Sequence, residues 1–217
     1  MEKKIEIVYE DANLLVLNKP AGWVSTKERR EEKNPTVEEW LEGRVEEGLA
    51  RNGVAHRLDK GTSGLLVVAK NKKSLAEMKE IFLTRKIRKV YLALVAGEVS
   101  AEGVIEVPIG RKQFAKFGVV VDGKIAKSEF RLLKKYERGG RKYSLIEVDL
   151  KSGRTHQIRV HFSYLGWPIV GDSLYGGEKL LIERPFLHAF KLEFKDLKFV
   201  CQLPLELKKV LEEYEEI

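Results

Sequence analysis

Residues 56–66 read His56-Arg57-Leu58-Asp59-Lys60-Gly61-Thr62-Ser63-Gly64-Leu65-Leu66. A charged, polar knot runs straight into an apolar stretch, which predicts a loop delivered to the mouth of a strand. Asp59 is placed where such a loop presents a carboxylate. Gly61 and Gly64 permit tight backbone paths and close approach of a ligand. These residues alone admit two readings: a turn whose Asp caps its own backbone, or a loop that carries chemistry.

Outward from this knot, short strand-like runs alternate with a few helical stretches. Strands are predicted over 5–9, 14–18, 64–69, 90–96, 118–121, 128–133, 144–150, 186–194 and 198–202. In 144–150, Ile146, Val148 and Leu150 share one face. Asn34-Pro35 reads as a helix opening, an N-cap followed by Pro at the first helical position. Val37, Trp40, Leu41 and Val45 follow at helical spacing. A second helix is predicted over 74–84 and a third from near Thr155, capped by Ser152 or Thr155 and stopped by Gly166 and Pro168. A terminal helix is predicted over 205–214. Two loops are expected, the charge run 27–33 and a basic segment 110–117 with Arg111, Lys112 and Lys116. Strands outnumber helices and are spaced like hairpins. The predicted class is α+β, a large mixed, mostly antiparallel β-sheet with flanking helices, in a single domain over residues 1–217.

A second segment reads Lys151-Ser152-Gly153-Arg154-Thr155-His156-Gln157-Ile158-Arg159-Val160-His161. A helix N-terminus beside Arg154 makes a ready anion site. Arg159 falls near the apolar stripe of Ile158, Phe162 and Leu165, where an Arg needs a carboxylate partner; the plainer reading is a surface salt bridge. His56, His156 and His161 do not suggest a metal, because helical positions five apart point to different sides.

Composition sets the frame. The chain has 217 residues, 43% of them hydrophobic, enough to bury a core. The formal net charge of +7 favours a polyanionic partner. One cysteine, Cys201, rules out an intramolecular disulfide and points to a reducing compartment. No apolar run suggests a signal peptide or a membrane span, so a cytoplasmic protein with no membrane partner is expected.

The two segments, 56–66 and GRTHQIRVHFSYLGWPIVGDSLYG over 153–176, closely resemble the signature blocks of the RluA-type pseudouridine synthases. Two further blocks agree in order: Asn13 to Gly22 looks like the family's opening strand and KPxG, and Lys89 to Val95 looks like its K-x-Y-x-A-x-V strand. The resemblance runs from about Ile5 to Phe199. It implies the pseudouridine synthase catalytic fold and an enzyme that isomerises a specific uridine of tRNA or rRNA to pseudouridine. Asp59 matches the essential catalytic Asp. Tyr91 matches the Tyr expected to stack on the uracil. Arg159 matches the Arg expected to pair with the catalytic Asp. Arg57 matches a residue that helps hold the flipped-out nucleotide, and Leu187 an apolar residue beneath the base. Arg154 is added as a substrate-binding candidate. Family members often carry an S4-type RNA-binding module; here the blocks begin too early to leave room for one. RNA selection is then expected from the domain's own basic surface. A monomer with no obligate protein partner is expected.

The reaction breaks the C1′–N1 bond and joins C1′ to C5 of the same uracil. It is redox-neutral, so no cofactor is implied. The Asp acts either by covalent attack on the nucleotide or by abstracting a sugar proton, and both roles need it ionised, which a nearby Arg favours. Two other classes compete. An inactive RNA-binding protein of the same fold predicts a degraded motif, yet Asp59, Tyr91 and Arg159 are all present. A glycoside hydrolase needs a second carboxylate about 5–10 Å away, for which Asp149 or Asp172 are the candidates.

Overall fold

Alternating or continuous apolar runs become strands wherever one or both faces are covered. The structure, a computed structural model, describes residues 4–27, 34–113, 116–179 and 181–217. In chain order the elements are β1 (Glu6–Glu10), β2 (Leu14–Lys19), α1 (Val37–Trp40), β3 (Ser63–Ala69), α2 (Lys72–Leu83), β4 (Ile87–Ala96), β5 (Gly103–Gln113), β6 (Lys116–Val119), β7 (Lys124–Arg138), β8 (Arg141–Leu150), α3 (Gln157–Tyr164), β9 (Leu187–Phe194), β10 (Leu197–Val200), α4 (Leu205–Glu212) and β11 (Glu215–Glu216). A short turn with Arg51 and Asn52 in the left-handed region lies at Ala50–Gly53, and a short 3-10 turn at Ser173–Tyr175. The class is the expected mixed α+β, mostly antiparallel in its sheet structure and flanked by helices. No helix among the described residues is long and apolar enough to cross a membrane.

The chain divides into two compact units. The first takes Met1–Arg88 and Ala189–Gln202, the second Lys89–His188 and Leu203–Ile217. In the first unit the strand order is β1-β2-β3-β9, with β10 paired to β9. The pairs β1–β2, β2–β3 and β9–β10 are antiparallel. All seven residues of β3 are buried, as expected of a strand covered on both faces. Its core joins Leu14 and Val16 of β2, Leu65 and Val67 of β3, Met78 and Ile81 of α2, and Leu192, Phe194, Phe199 and Cys201. Asn71 starts α2 with a capping box, its side chain accepting from the Ser74 N–H while Ser74 reaches back.

In the second unit the order is β4-β8-β7-β5-β6, with β11 paired to β7. The β4–β8, β7–β8, β5–β7 and β5–β6 pairs are all antiparallel. α3 packs Val160 with Ile109, Ala126 and Tyr175 against the half-buried Phe117 and Val119.

Several local expectations move. The first helix is capped by Thr36, two residues beyond Asn34: the Thr36 hydroxyl accepts from the Glu39 N–H at 3.0 Å and α1 lasts only four residues. α3 is capped by neither Ser152 nor Thr155 but by His156, in the left-handed conformation and with no side-chain cap bond. The basic segment 110–117 is not a loop; its described residues form the β5–β6 hairpin, and 114–115 lie outside the described residues. β5 was hidden by Pro108, which falls where, among the described pairings, β5 has β7 on one side and β6 has already ended. A bulge between Leu132 and Lys134 breaks the alternation of β7, so its pattern is legible only as far as 133. Of the charge run 27–33, all but Lys27 lies outside the described residues.

Candidate active site

Burial alternates along the segment before β3: Leu58 is buried and Arg57 exposed, with Asp59 half-buried after them. The apolar side chain anchors the segment and its charged neighbours project away from it. His56 is held by the first unit's core: its Nε2 accepts from the Val67 N–H at 3.0 Å and its ring packs against Phe82 at 4.8 Å. A turn then carries the chain into β3, closed by the Thr62 N–H donating to the Asp59 carbonyl at 3.0 Å.

The loop after β2 grips this segment. The Ser25 hydroxyl donates to the Leu58 carbonyl at 2.9 Å and accepts from the Leu58 N–H at 3.0 Å. The Gly22 N–H donates to the Lys60 carbonyl at 2.8 Å. Lys19 is wholly buried, and its ammonium donates to the carbonyls of Pro20 at 3.1 Å and Trp23 at 2.8 Å. A buried ammonium needs such acceptors to offset its lost hydration, and here they are the loop's own backbone.

Arg159 lies on α3 in the second unit. It is 9% exposed and makes a bidentate pair with Asp172, itself 1% exposed: Nε to Oδ2 at 2.7 Å and Nη2 to Oδ1 at 2.8 Å. Its guanidinium also lies over the Tyr175 ring, 4.9 Å from the centroid. Removing one member of such a pair leaves a buried charge, a loss of about 3–5 kcal/mol. The Tyr175 hydroxyl accepts from the Phe117 N–H at 3.1 Å and meets His156 Nδ1 at 2.9 Å. Thus the 3-10 turn after Asp172 ties the Arg to the β5–β6 hairpin.

The loop ahead of α3 is ordered from beneath by buried Gln157. Its Oε1 accepts from the Ser152 hydroxyl at 2.8 Å and the Arg154 N–H at 3.0 Å. Its Nε2 donates to the Lys127 carbonyl at 2.9 Å and Ser128 Oγ at 3.0 Å. Arg154 is half-buried and its Nε has no hydrogen-bond partner. Tyr91 is 7% exposed on β4, opposite Val148 of β8. Leu187 is buried at the start of β9, where its carbonyl accepts from Arg184 Nη1 at 3.3 Å; Arg184 is in turn paired to Glu206 of α4 at 2.6 Å.

Of the residues singled out from sequence, Arg57 and Asp59 therefore belong to the first unit, and Tyr91, Arg154, Arg159 and Leu187 to the second. Of the two carboxylates open to a hydrolase reading, Asp172 is held by Arg159 and Asp149 by Lys151 at 2.9 Å. Among the described residues no group of three or more His, Cys, Asp or Glu side chains is placed to hold a metal ion.

A family model for RNA pseudouridylate synthase matches residues 13–164, which takes in the Lys19–Ser25 loop, Asp59, Tyr91 and Arg159. The chain belongs to the RNA pseudouridylate synthase family. It is 41% identical over 179 residues to an uncharacterized RNA pseudouridine synthase of Chloroflexus aurantiacus, covering 78% of this chain and 55% of that protein. It is 40% identical over 178 residues to ribosomal large subunit pseudouridine synthase D of Pseudomonas aeruginosa, covering 80% of this chain and 54% of that one. The chain thus spans about half the length of these curated relatives. Among solved structures, human RNA pseudouridylate synthase domain containing 1 superposes with a TM-score of 0.80 at 28% identity, over 100% of this chain and 92% of that one.

Within this pseudouridylate synthase domain, sequence reasoning missed Ser25, Tyr175 and the true weight of Asp172. Ser25 carries no local signal, since a Ser in a loop is ordinary. Asp172 and Tyr175 lay inside the quoted 153–176 block, but nothing in their spacing named Arg159 as the residue they hold.

Proposed function

We propose that the chain is an RNA pseudouridine synthase of the RluA type, a single catalytic domain over residues 1–217 that isomerises a specific uridine of tRNA or rRNA. The observation that carries this reading is the family match across 13–164 with Asp59 held in a braced loop at the entrance to β3. The Pseudomonas aeruginosa relative's name refers to the ribosomal large subunit, which favours the ribosomal half of the alternative.

In this proposal Asp59 is the catalytic carboxylate. The C1′–N1 bond breaks, the uracil turns, C1′ bonds to C5, the C5 proton is given up and N1 takes up a proton, so that substrate and product are isomers. Asp59 acts as nucleophile at the nucleotide or as base toward a sugar proton. Arg159 serves as its ion partner. A guanidinium already oriented by Asp172 and Tyr175 suits that task, because it loses little side-chain freedom when it acts. Tyr91 stacks on the uracil, which returns roughly 1–3 kcal/mol of the cost of taking the base out of its stack. Arg57 and Arg154 hold the nucleotide and its phosphates, and Leu187 packs beneath the base. No cofactor takes part, and the protein acts in the cytoplasm as a monomer with no membrane or obligate protein partner.

The test is pseudouridine formation on uridine-labelled total RNA from cells lacking this gene, comparing the native protein with Asp59→Asn. Pseudouridine from the native protein alone is the expected result. Product from Asp59→Asn would remove Asp59 from the chemistry. No product from either folded protein, with RNA still bound, would favour an inactive RNA-binding protein.

A further inference from the structure

Ser25 is 1% exposed and Leu58 is 6% exposed, so the polar groups between them are shielded from water. The two residues are 33 positions apart in the chain. One hydroxyl serves both backbone groups of Leu58, donating to its carbonyl at 2.9 Å and accepting from its N–H at 3.0 Å. A hydroxyl has one proton and two lone pairs, so both bonds are within its capacity. The Ser25 oxygen thereby stands where a neighbouring strand would stand, at the residue just before Asp59.

The residue just after Asp59 is tied to the same loop, through the Gly22 N–H on the Lys60 carbonyl at 2.8 Å. The loop has its own footing. Lys19 draws in its Pro20 and Trp23 carbonyls. On the far side, Val24 donates to Pro35 at 3.0 Å and accepts from Val37 at 2.9 Å. Asp59 is therefore flanked on both sides by bonds to one anchored segment.

We propose that Ser25 is a positioning residue for Asp59: by fixing both polar groups of Leu58 it sets the direction in which the next side chain leaves the backbone. This rests on Asp59 being the catalytic group. Reacting groups must be held to a fraction of an ångström, and a misplacement of about 1 Å can cost on the order of a hundredfold in rate. Ser25→Ala removes both bonds and leaves the buried Leu58 N–H and C=O unpaired. Ser25→Thr retains the hydroxyl, and Ser25→Cys keeps the size with a much weaker donor and acceptor.

The experiment is single turnover with enzyme in excess over total RNA tritiated at uracil C5, taken from cells lacking this gene. Tritium release gives a rate constant and an amplitude, RNA binding is measured separately, and Asp59→Asn runs alongside. A purely structural role for Ser25 lowers the folded fraction, and so the amplitude or the melting temperature, but not the rate constant at saturating enzyme. The positioning role predicts a rate constant lower by about 10- to 100-fold in Ser25→Ala, with RNA binding unchanged and most of the rate recovered in Ser25→Thr. Should Ser25→Ala not fold, Ser25→Cys carries the same prediction in weaker form. A native rate constant in Ser25→Ala or Ser25→Cys, beside an inactive Asp59→Asn, overturns the role of Ser25 and leaves that of Asp59 standing. Turnover by Asp59→Asn overturns both.

Discussion

His161 lies on α3 with no exposed surface. Its Nδ1 meets Ser128 Oγ at 3.0 Å, and its Nε2 is buried with no hydrogen-bond partner. Burial without a compensating charge disfavours the imidazolium and pulls its pKa from the ordinary 6.5 down to about 4. Between those values the unfolded chain binds a proton that the folded chain refuses. The stability this neutral ring contributes is complete above pH 6.5 and is lost as pH falls toward 4, to the extent of about 3 kcal/mol. Urea unfolding at about pH 7 and about pH 4.5 checks this: the midpoint should fall in the native protein, and fall less in His161→Gln. An equal fall in both would assign the acid sensitivity to other groups. Two residues earlier on the same α3, Arg159 is satisfied by Asp172 where His161 is left half satisfied. Neither outcome is visible in the residue types, because a His and an Arg on an apolar stripe become costly or useful only once their neighbours are known.

At the scale of the element, β3 and its entrance carry the most constraint. Gly64 has φ +111, and a Cβ there would lie 2.3 Å from the Ala189 carbonyl oxygen and 2.8 Å from its carbon and nitrogen. All three are backbone atoms, so no side chain can swing aside to make room. Gly64→Ala is expected to cost more than about 2 kcal/mol, read as a lower urea midpoint. A midpoint near the native value would mean that β9 yields at Ala189. The sequence suggested a tight backbone path and close approach of a ligand at this glycine; what approaches it is the backbone of β9 at Ala189. Other elements show the same division. β8 was legible because Ile146, Val148 and Leu150 alternate onto a buried face. β5 was not, because Pro108, Gly110 and its charges read as loop chemistry until β7 pairs with Gly103 to Ile109 and β6 with Ile109 to Gln113. The opening of α1 slipped from Asn34 to Thr36 because either residue can cap, and the choice followed from the Val24 bridge to Thr36.

Across the whole molecule, 40 Lys and Arg stand against 33 Asp and Glu. Many carboxylates are already matched, as Glu98 is by Lys135 and Lys142, which hold its pKa at about 2. RNA binding by the remaining positive surface should therefore weaken steeply with salt. About five phosphate contacts on a single strand predict roughly a hundredfold loss in affinity for a fourfold rise in salt. A titration of RNA binding against salt reads this slope, and a flat response would argue against a phosphate-gripping surface. The sequence by itself determined the α+β class, most of the strands other than β5 and β11, the family membership marked by four motif blocks, and the placing of Asp59 just before a buried strand. These are local properties, written in periodicity and in neighbours along the chain. Tertiary structure alone decided that Ser25 braces Leu58 from 33 residues away, that Asp172 holds Arg159 from 13 away, and that His161 is kept neutral. Those outcomes depend on which distant groups burial brings together and leaves without water, and a buried polar group takes its character from its partner rather than from its position in the sequence.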